Sequence, residues 1–282
     1  MKKEGIFVLA ILIILACGAE GCPQTSTGAG GGTSVSGKID FSLLPSIDAL
    51  TAGKSIEQGQ EFYVQVQVSN SMQEIETGQI CIKDNVGGSY LGIPDASDCK
   101  QFSISNGNTE LIFGPYAYSN IPVSSFPATF FVSMDYRQKS RIESSVSVPL
   151  PEIENLNIQQ AQEPILVSIN KSVRKSGEGY KTDLGIALRE NSPGDATMRI
   201  FSPDFSKENI TSIGFNMGQQ TLDCVSGTEK ITTQVQIDRE KFIRCSTISY
   251  LGTEEQRISP FVLTLDYGVR IERQYQFTIT KP

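Results

Sequence analysis

The chain has 282 residues, with 24 Lys and Arg against 31 Asp and Glu, a net charge of −7, and neither histidine nor tryptophan. The missing imidazole excludes Ser-His and Cys-His nucleophile pairs, His-ligated metal sites and a proton shuttle near neutral pH. The acidic balance lacks the basic face of a nucleic-acid binder, so no nucleic-acid partner is expected.

Lys2 and Lys3 precede an unbroken apolar run from Ile6 to Ala16. The run is the length of a signal-peptide core and shorter than the roughly 18 residues of a spanning helix. Residues 1–22 are therefore expected to be a signal peptide or membrane anchor, cleaved or retained. The run ends in Ile14-Leu15-Ala16-Cys17-Gly18, which resembles a lipoprotein lipobox. That resemblance implies lipidation at Cys17, with Cys22 as a second candidate. One acyl chain anchors only marginally, so more than one is expected. Residues 23–37 are rich in Gly, Ser and Thr and carry no charge before Lys38. Such a stretch cannot bury enough surface to fold, and it reads as a tether.

From residue 39 onward the dominant period is two. Phe62, Val64, Val66 and Val68 alternate with polar residues, as do Phe130, Val132, Met134 and Tyr136, and then Ile142, Val146 and Val148. The second half repeats the pattern in Leu184, Ile186 and Leu188, in Ile231, Val235 and Ile237, in Phe261 to Tyr267, and in Tyr275, Phe277 and Ile279. Turn signals separate the runs at Gly87-Gly88, Asn106-Gly107 and Ser192-Pro193-Gly194. Short half-buried strands with many turns predict an all-β fold of sandwich type.

Phe130-Phe131-Val132-Ser133-Met134-Asp135-Tyr136 aligns with Phe261-Val262-Leu263-Thr264-Leu265-Asp266-Tyr267 at an offset of 131 residues, from 136 to 267. Val146, Val148 and Pro151 meet Phe277, Ile279 and Pro282 at the same offset. Each half is thus expected to end in a hairpin closed by a proline. The chain divides into two tandem β-sandwiches, 38–151 and 163–282. The polar linker between them, 152–162, is read as holding a helical turn. Leu184 to Glu190, the turn Asn191-Ser192-Pro193-Gly194-Asp195-Ala196 and the strand through Ile200 resemble the immunoglobulin-like sandwiches of the CARDB type on archaeal and bacterial cell surfaces. Val64 to Asn70 with Gly78, Ile80 and Ile82 is similar. The resemblance implies an immunoglobulin-like adhesion or spacer module and supplies no catalytic residue.

Beyond the leader, Cys81 and Cys99 fall in one half, Cys224 and Cys245 in the other. Four cysteines allow three pairings. The even split and the expected export favour one disulfide per half. Cys81 lies between Ile80 and Ile82 and so points away from the face they fill, which suits a staple to a neighbouring loop. Asn170-Lys171-Ser172 and Asn209-Ile210-Thr211 match the N-glycosylation acceptor pattern, and Asn209 ranks first because its surroundings are turn-like.

Gly53-Lys54-Ser55 lacks the first glycine of a phosphate loop, since Asp48 stands there. Ser97-x-x-Lys100 and Ser172-x-x-Lys175 lack the companion motifs of penicillin-recognising enzymes. Asp84, Asp95 and Asp98 crowd one loop region, but their order is not that of an EF-hand. No catalytic residue, metal or cofactor is assigned. Tyr90, Phe113, Tyr116 and Tyr118 form a candidate contact patch for protein or glycan. The expected function is a membrane-tethered, extracytoplasmic, noncatalytic protein that presents its sandwiches for adhesion or protein binding. The alternatives are a structural subunit of a surface layer, pilus or secretion assembly, and a carboxylate-dependent secreted hydrolase. Replacing Cys17 by Ser is expected to move the protein from the membrane pellet to the soluble fraction; unchanged pelleting would remove the lipid anchor from this reading.

Overall fold

The computed structural model describes residues 39–71, 76–94, 96–148, 154–156, 164–191, 196–218, 221–249 and 257–282. The leader with Cys17, the tether, Asp95 and the Ser192-Pro193-Gly194 turn lie outside the described residues. All described residues fall within one compact unit, Ser34–Pro282.

The fold is all-β. The first half supplies β1 (Ile39–Leu43), β2 (Ser55–Glu57), β3 (Phe62–Asn70), β4 (Glu76–Asp84), β5 (Asp98–Ile104), β6 (Gly107–Tyr116) and β7 (Ser125–Val148). The second supplies β8 (Glu154–Leu156), β9 (Ile165–Ser176), β10 (Gly179–Glu190), β11 (Thr197–Phe201), β12 (Ile210–Asn216), β13 (Asp223–Ser226), β14 (Glu229–Lys230), β15 (Gln234–Gln236), β16 (Glu240–Ser249) and β17 (Arg257–Thr280). Alternation in sequence becomes alternation in burial. Phe62, Val64, Val66 and Val68 on β3 are buried, while Tyr63, Gln65 and Gln67 between them are half-exposed.

The described residues form three sheets, in the orders β1-β3-β6, β14-β13-β16-β10-β9-β8 and β15-β12-β17-β7-β4-β5, with β2 and β11 added along β17. The first and second halves use one plan. Each has a central strand, β3 or β10, between two antiparallel neighbours. The third sheet draws on both halves and has the same order from either edge, β5-β4-β7 and then β17-β12-β15.

The expected terminal hairpins are absent. β7 and β17 are each a single strand of 24 residues, and they pair antiparallel along their whole length. Arg137 stands opposite Gly268, its own counterpart at the offset of the sequence repeat. The pairing is therefore symmetric about that point. The end of β17 thereby reaches the core of the first half. Phe277 packs 5.8 Å from the Tyr118 ring and 5.9 Å from Phe130, and Tyr275 stacks on Phe130 at 5.0 Å. Burial of one such ring contributes about 2–3 kcal/mol. β2 then pairs in parallel with Thr278–Thr280 and ties the end down.

Of the linker, Glu154–Leu156 form a short strand, β8, paired with β9, and the rest of it, with the expected helical turn, lies outside the described residues. The run from Ile231 to Ile237 is broken, with β15 covering only Gln234–Gln236, although Ile231, Val235 and Ile237 are all buried.

The middle of the ribbon carries its polar groups in two ways. Inside, Gln138 and Ser140 are buried; the Gln138 amide donates to the Lys139 carbonyl at 3.3 Å, and the Ser140 hydroxyl lies 3.5 Å from that of Tyr267. Outside, Asp135 accepts two bonds from Arg270, at 2.7 and 2.6 Å, and its repeat counterpart Asp266 accepts from Nε of Arg137 at 2.7 Å. The Asp135 side chain is 12% exposed and that of Asp266 27%. The drier pair holds more of its attraction. Arg270→Ala is therefore expected to lower the denaturant midpoint by the equivalent of about 1–2 kcal/mol, and Arg137→Ala by under about 1 kcal/mol. Equal losses in chemical denaturation would show that burial does not rank the two pairs.

Candidate functional site

Ser125 opens β7 opposite Thr280 near the end of β17, so the outer end of the ribbon is where the loops of the first half gather. Four segments meet there. The Ser119 amide donates to the Tyr90 carbonyl at 2.8 Å, that of Gly59 to Tyr118 at 2.9 Å, and that of Lys281 to Ser124 at 3.0 Å. The Ile121 amide reaches the Gln58 side chain at 3.0 Å.

Tyr118 is the floor of this end. It is fully buried, stacks on Phe62 at 5.3 Å and donates its hydroxyl to the Asp84 carboxylate. Burial first, and then the negative charge of Asp84, push its phenol well above the ordinary value, so the ring stays a neutral donor. Gly92 lies flat on the ring, and a Cβ there would come within 2.1 Å of Tyr118 Cε1. Between the short turn Gly88–Tyr90 and Gly92 sits Leu91, at φ 57° and ψ −147°, bridged to Tyr118 and 64% exposed. Leucine rarely adopts this backbone, and such conformations persist only where surrounding bonds impose them. Val123, on the loop before β7, is also exposed.

The aromatic patch expected from sequence is therefore mostly under the surface. Phe113 and Tyr118 are buried, Tyr90 and Tyr116 half-buried against the core, and Tyr90 packs 6.2 Å from Phe126. The exposed apolar side chain beside this floor is Leu91, which sequence reasoning missed. Its flanking Gly87-Gly88 and Gly92 signal a turn, but a leucine within a turn carries no mark that it points outward. Asp84 and Asp98 sit on the paired strands β4 and β5, and each takes a tyrosine hydroxyl, Asp84 from Tyr118 and Asp98 from Tyr116. Among the described residues no group of three or more metal-ligating side chains comes together.

The disulfides are Cys81–Cys99 and Cys224–Cys245. Each joins directly opposed residues of adjacent antiparallel strands, β4 with β5 and β13 with β16. Cys81 is thus bonded to a neighbouring strand, where the sequence suggested a loop. The second bridge is buried in the core. Sequence separations of 18 and 21 residues give each about 3 kcal/mol through loop-closure entropy.

The two sequons sit differently. Asn170 is exposed on β9, with Lys171 buried beneath it. Asn209 is half-buried at φ 60° and donates its amide to Asp238 at 3.2 Å, while Thr211 is fully buried. Asn209 closes a loop whose Asp204, bonded by Ser202 and Ser206, is held down at about 2.

No protein-family model matches the chain, and a search of curated proteins finds no match to it.

A phenol whose pKa is raised by folding keeps its proton in the folded state after the unfolded chain has begun to lose it. Its contribution to stability is complete below the unfolded value of 10.0 and falls as pH rises beyond it. Tyr118→Phe is expected to cost about 1–2 kcal/mol at neutral pH, from the lost bond to Asp84. It is also expected to flatten the alkaline decline in stability above pH 10. Thermal unfolding from pH 7 to 11 would show this, and parallel curves for the two proteins would count against it.

Proposed function

We propose that this is an extracytoplasmic, membrane-tethered protein that presents immunoglobulin-like β-sandwiches for adhesion or protein binding, with the loop end of the first half as its contact surface. The observation that carries the reading is Leu91: an apolar side chain held outward, in a conformation leucine avoids, on a floor of buried Tyr118. A contact group fixed before the partner arrives gives up little ordering entropy on binding. Loops on a rigid sheet framework are a common location for recognition. Two disulfides suit an oxidising compartment, and the apolar leader followed by an uncharged tether suits export and anchoring. The mechanism is presentation without a reacting group, in keeping with a chain that has no histidine.

The test is crosslinking on intact cells, followed by recovery of the protein and quantitative mass spectrometry of what comes with it. Leu91→Asp and wild type should unfold at the same temperature, and the variant should lose its principal partner at least tenfold. Undiminished recovery with Leu91→Asp would refute the contact surface. Ordered self-assembly of the concentrated ectodomain would favour the structural-subunit reading.

A further inference from the structure

A second surface, on the opposite half of the sequence, has its own logic. Along β9 the side chains alternate, so Asn170 and Ser172 both project from the outer face of the six-stranded sheet, with Lys171 inside. Asn170 stands opposite Gly185 on β10, and Gly185 stands opposite Arg244 on β16. A Cβ on Gly185 would find nothing nearer than the Asn170 Cβ at 3.8 Å, so the strand between Asn170 and Arg244 is bare. With the small side chains of Ser168 and Ala187, this leaves an open groove of about 510 Å³ across the sheet. Its far wall is Phe242, 65% exposed, beside the exposed Arg244.

We infer that Asn170 carries an N-linked saccharide and that its first sugars lie in this groove. The acceptor residue lines the groove, the floor is bare, and Phe242 offers a ring to the C–H face of a pyranose while Arg244 offers donors to its hydroxyls. An exposed phenylalanine on a sheet face thereby gains a cover. The competing sequon is built otherwise. Asn209 is half-buried with one amide hydrogen bonded to Asp238, and its Thr211 hydroxyl is in the core, so this sequon is less open to a transferase. Asn170, which the sequence ranks second, is the more exposed of the two.

The modification needs a glycosyl donor, a saccharide activated as a polyisoprenyl phosphate or pyrophosphate, and a cellular transferase. Nδ2 of Asn170 forms a bond to the anomeric carbon. The bond from that carbon to the phosphate oxygen breaks, the phosphate leaves with the electron pair, and one amide proton passes to a base of the transferase. The inference rests on the export proposed above.

The experiment uses full-length protein from its native cells. Protease shaving of intact cells establishes its location, and peptide mass mapping before and after chemical deglycosylation reads both sequons. The expected result is an externally accessible protein with saccharide on the Asn170 peptide, lost in Asn170→Gln and in Ser172→Ala and kept in Asn209→Gln. Phe242→Ala should lower the melting temperature of the glycosylated protein more than that of Asn170→Gln. An accessible protein with a bare Asn170 peptide, or with sugar on Asn209 alone, overturns this inference and leaves export standing. A bare peptide on a protein sheltered from protease overturns both. Equal effects of Phe242→Ala in the two backgrounds overturn the seating in the groove.

Discussion

The antiparallel pairing of β7 with β17 is the constraint on which the other sheets depend. It runs from Ser125 opposite Thr280 to Val148 opposite Arg257. Because Arg137 meets its own repeat counterpart at Gly268, the path of the sheet is matched on the two sides of the ribbon, β4 beside β7 and β12 beside β17, then β5 and β15, while β2 and β11 are additions along β17. Each long strand also serves the half that does not own it. Phe277 and Ile279 of β17 are buried in the first half's core, and Ile142 of β7 is buried beyond the point of symmetry. The two halves of the sequence are consequently joined by backbone hydrogen bonds, and the described residues of the linker form a three-residue strand at the edge of another sheet.

Much of this was legible in the residues, and the part that was not has a physical cause. Period-two alternation reports which face of a strand is wet, and the buried residues of β3, β7, β10 and β17 fall where the alternation puts them. Alternation says nothing of which strand lies alongside. The repeat around Asp135-Tyr136 and Asp266-Tyr267 was visible, and so was the offset. That these two copies pair with each other could not be read from either. The continuity of the strands was hidden for a chemical reason. Arg137-Gln138-Lys139-Ser140-Arg141 has no apolar residue to mark a buried face, yet the Gln138 amide nitrogen bonds the Lys139 carbonyl, the Ser140 hydroxyl lies beside that of Tyr267, and Arg137 bonds Asp266 outside.

The site was less legible than the fold. The sequence drew attention to aromatics, and they do converge on the loop end of the first half, but as its foundation. A phenol can satisfy its ring in the core and its hydroxyl on a carboxylate at the same time, as Tyr118 does with Asp84, and so it sinks. Leucine has no polar end to anchor. It stays out only because Gly92 presses flat on Tyr118 and the bridge between Leu91 and Tyr118 fixes the backbone. A contact made by imposed backbone geometry leaves no residue-type signature.

Symmetry also explains where the halves differ. At the central point the first half has arginine and the second glycine, because Phe205 reaches over Gly268, where a Cβ would lie 2.8 Å from the ring. Phe205 belongs to the loop between β11 and β12. These two strands pair with consecutive parts of β17, Gly268–Glu272 and Val262–Asp266, as one strand interrupted by an excursion. The first half shows the matching contact only through β4, opposite Phe130–Tyr136, and makes its own excursion later, through Leu91. The shared plan fixes the sheets, and each half departs from it in a loop at a different place. The second half's excursion covers the middle of the ribbon and packs Phe205 against Phe201. The first half's excursion stands at the free end, where the sheets no longer shield it. A symmetric framework thus leaves one loop bound into the structure and one exposed at its tip, which is why the proposed contact surface is placed on the first half.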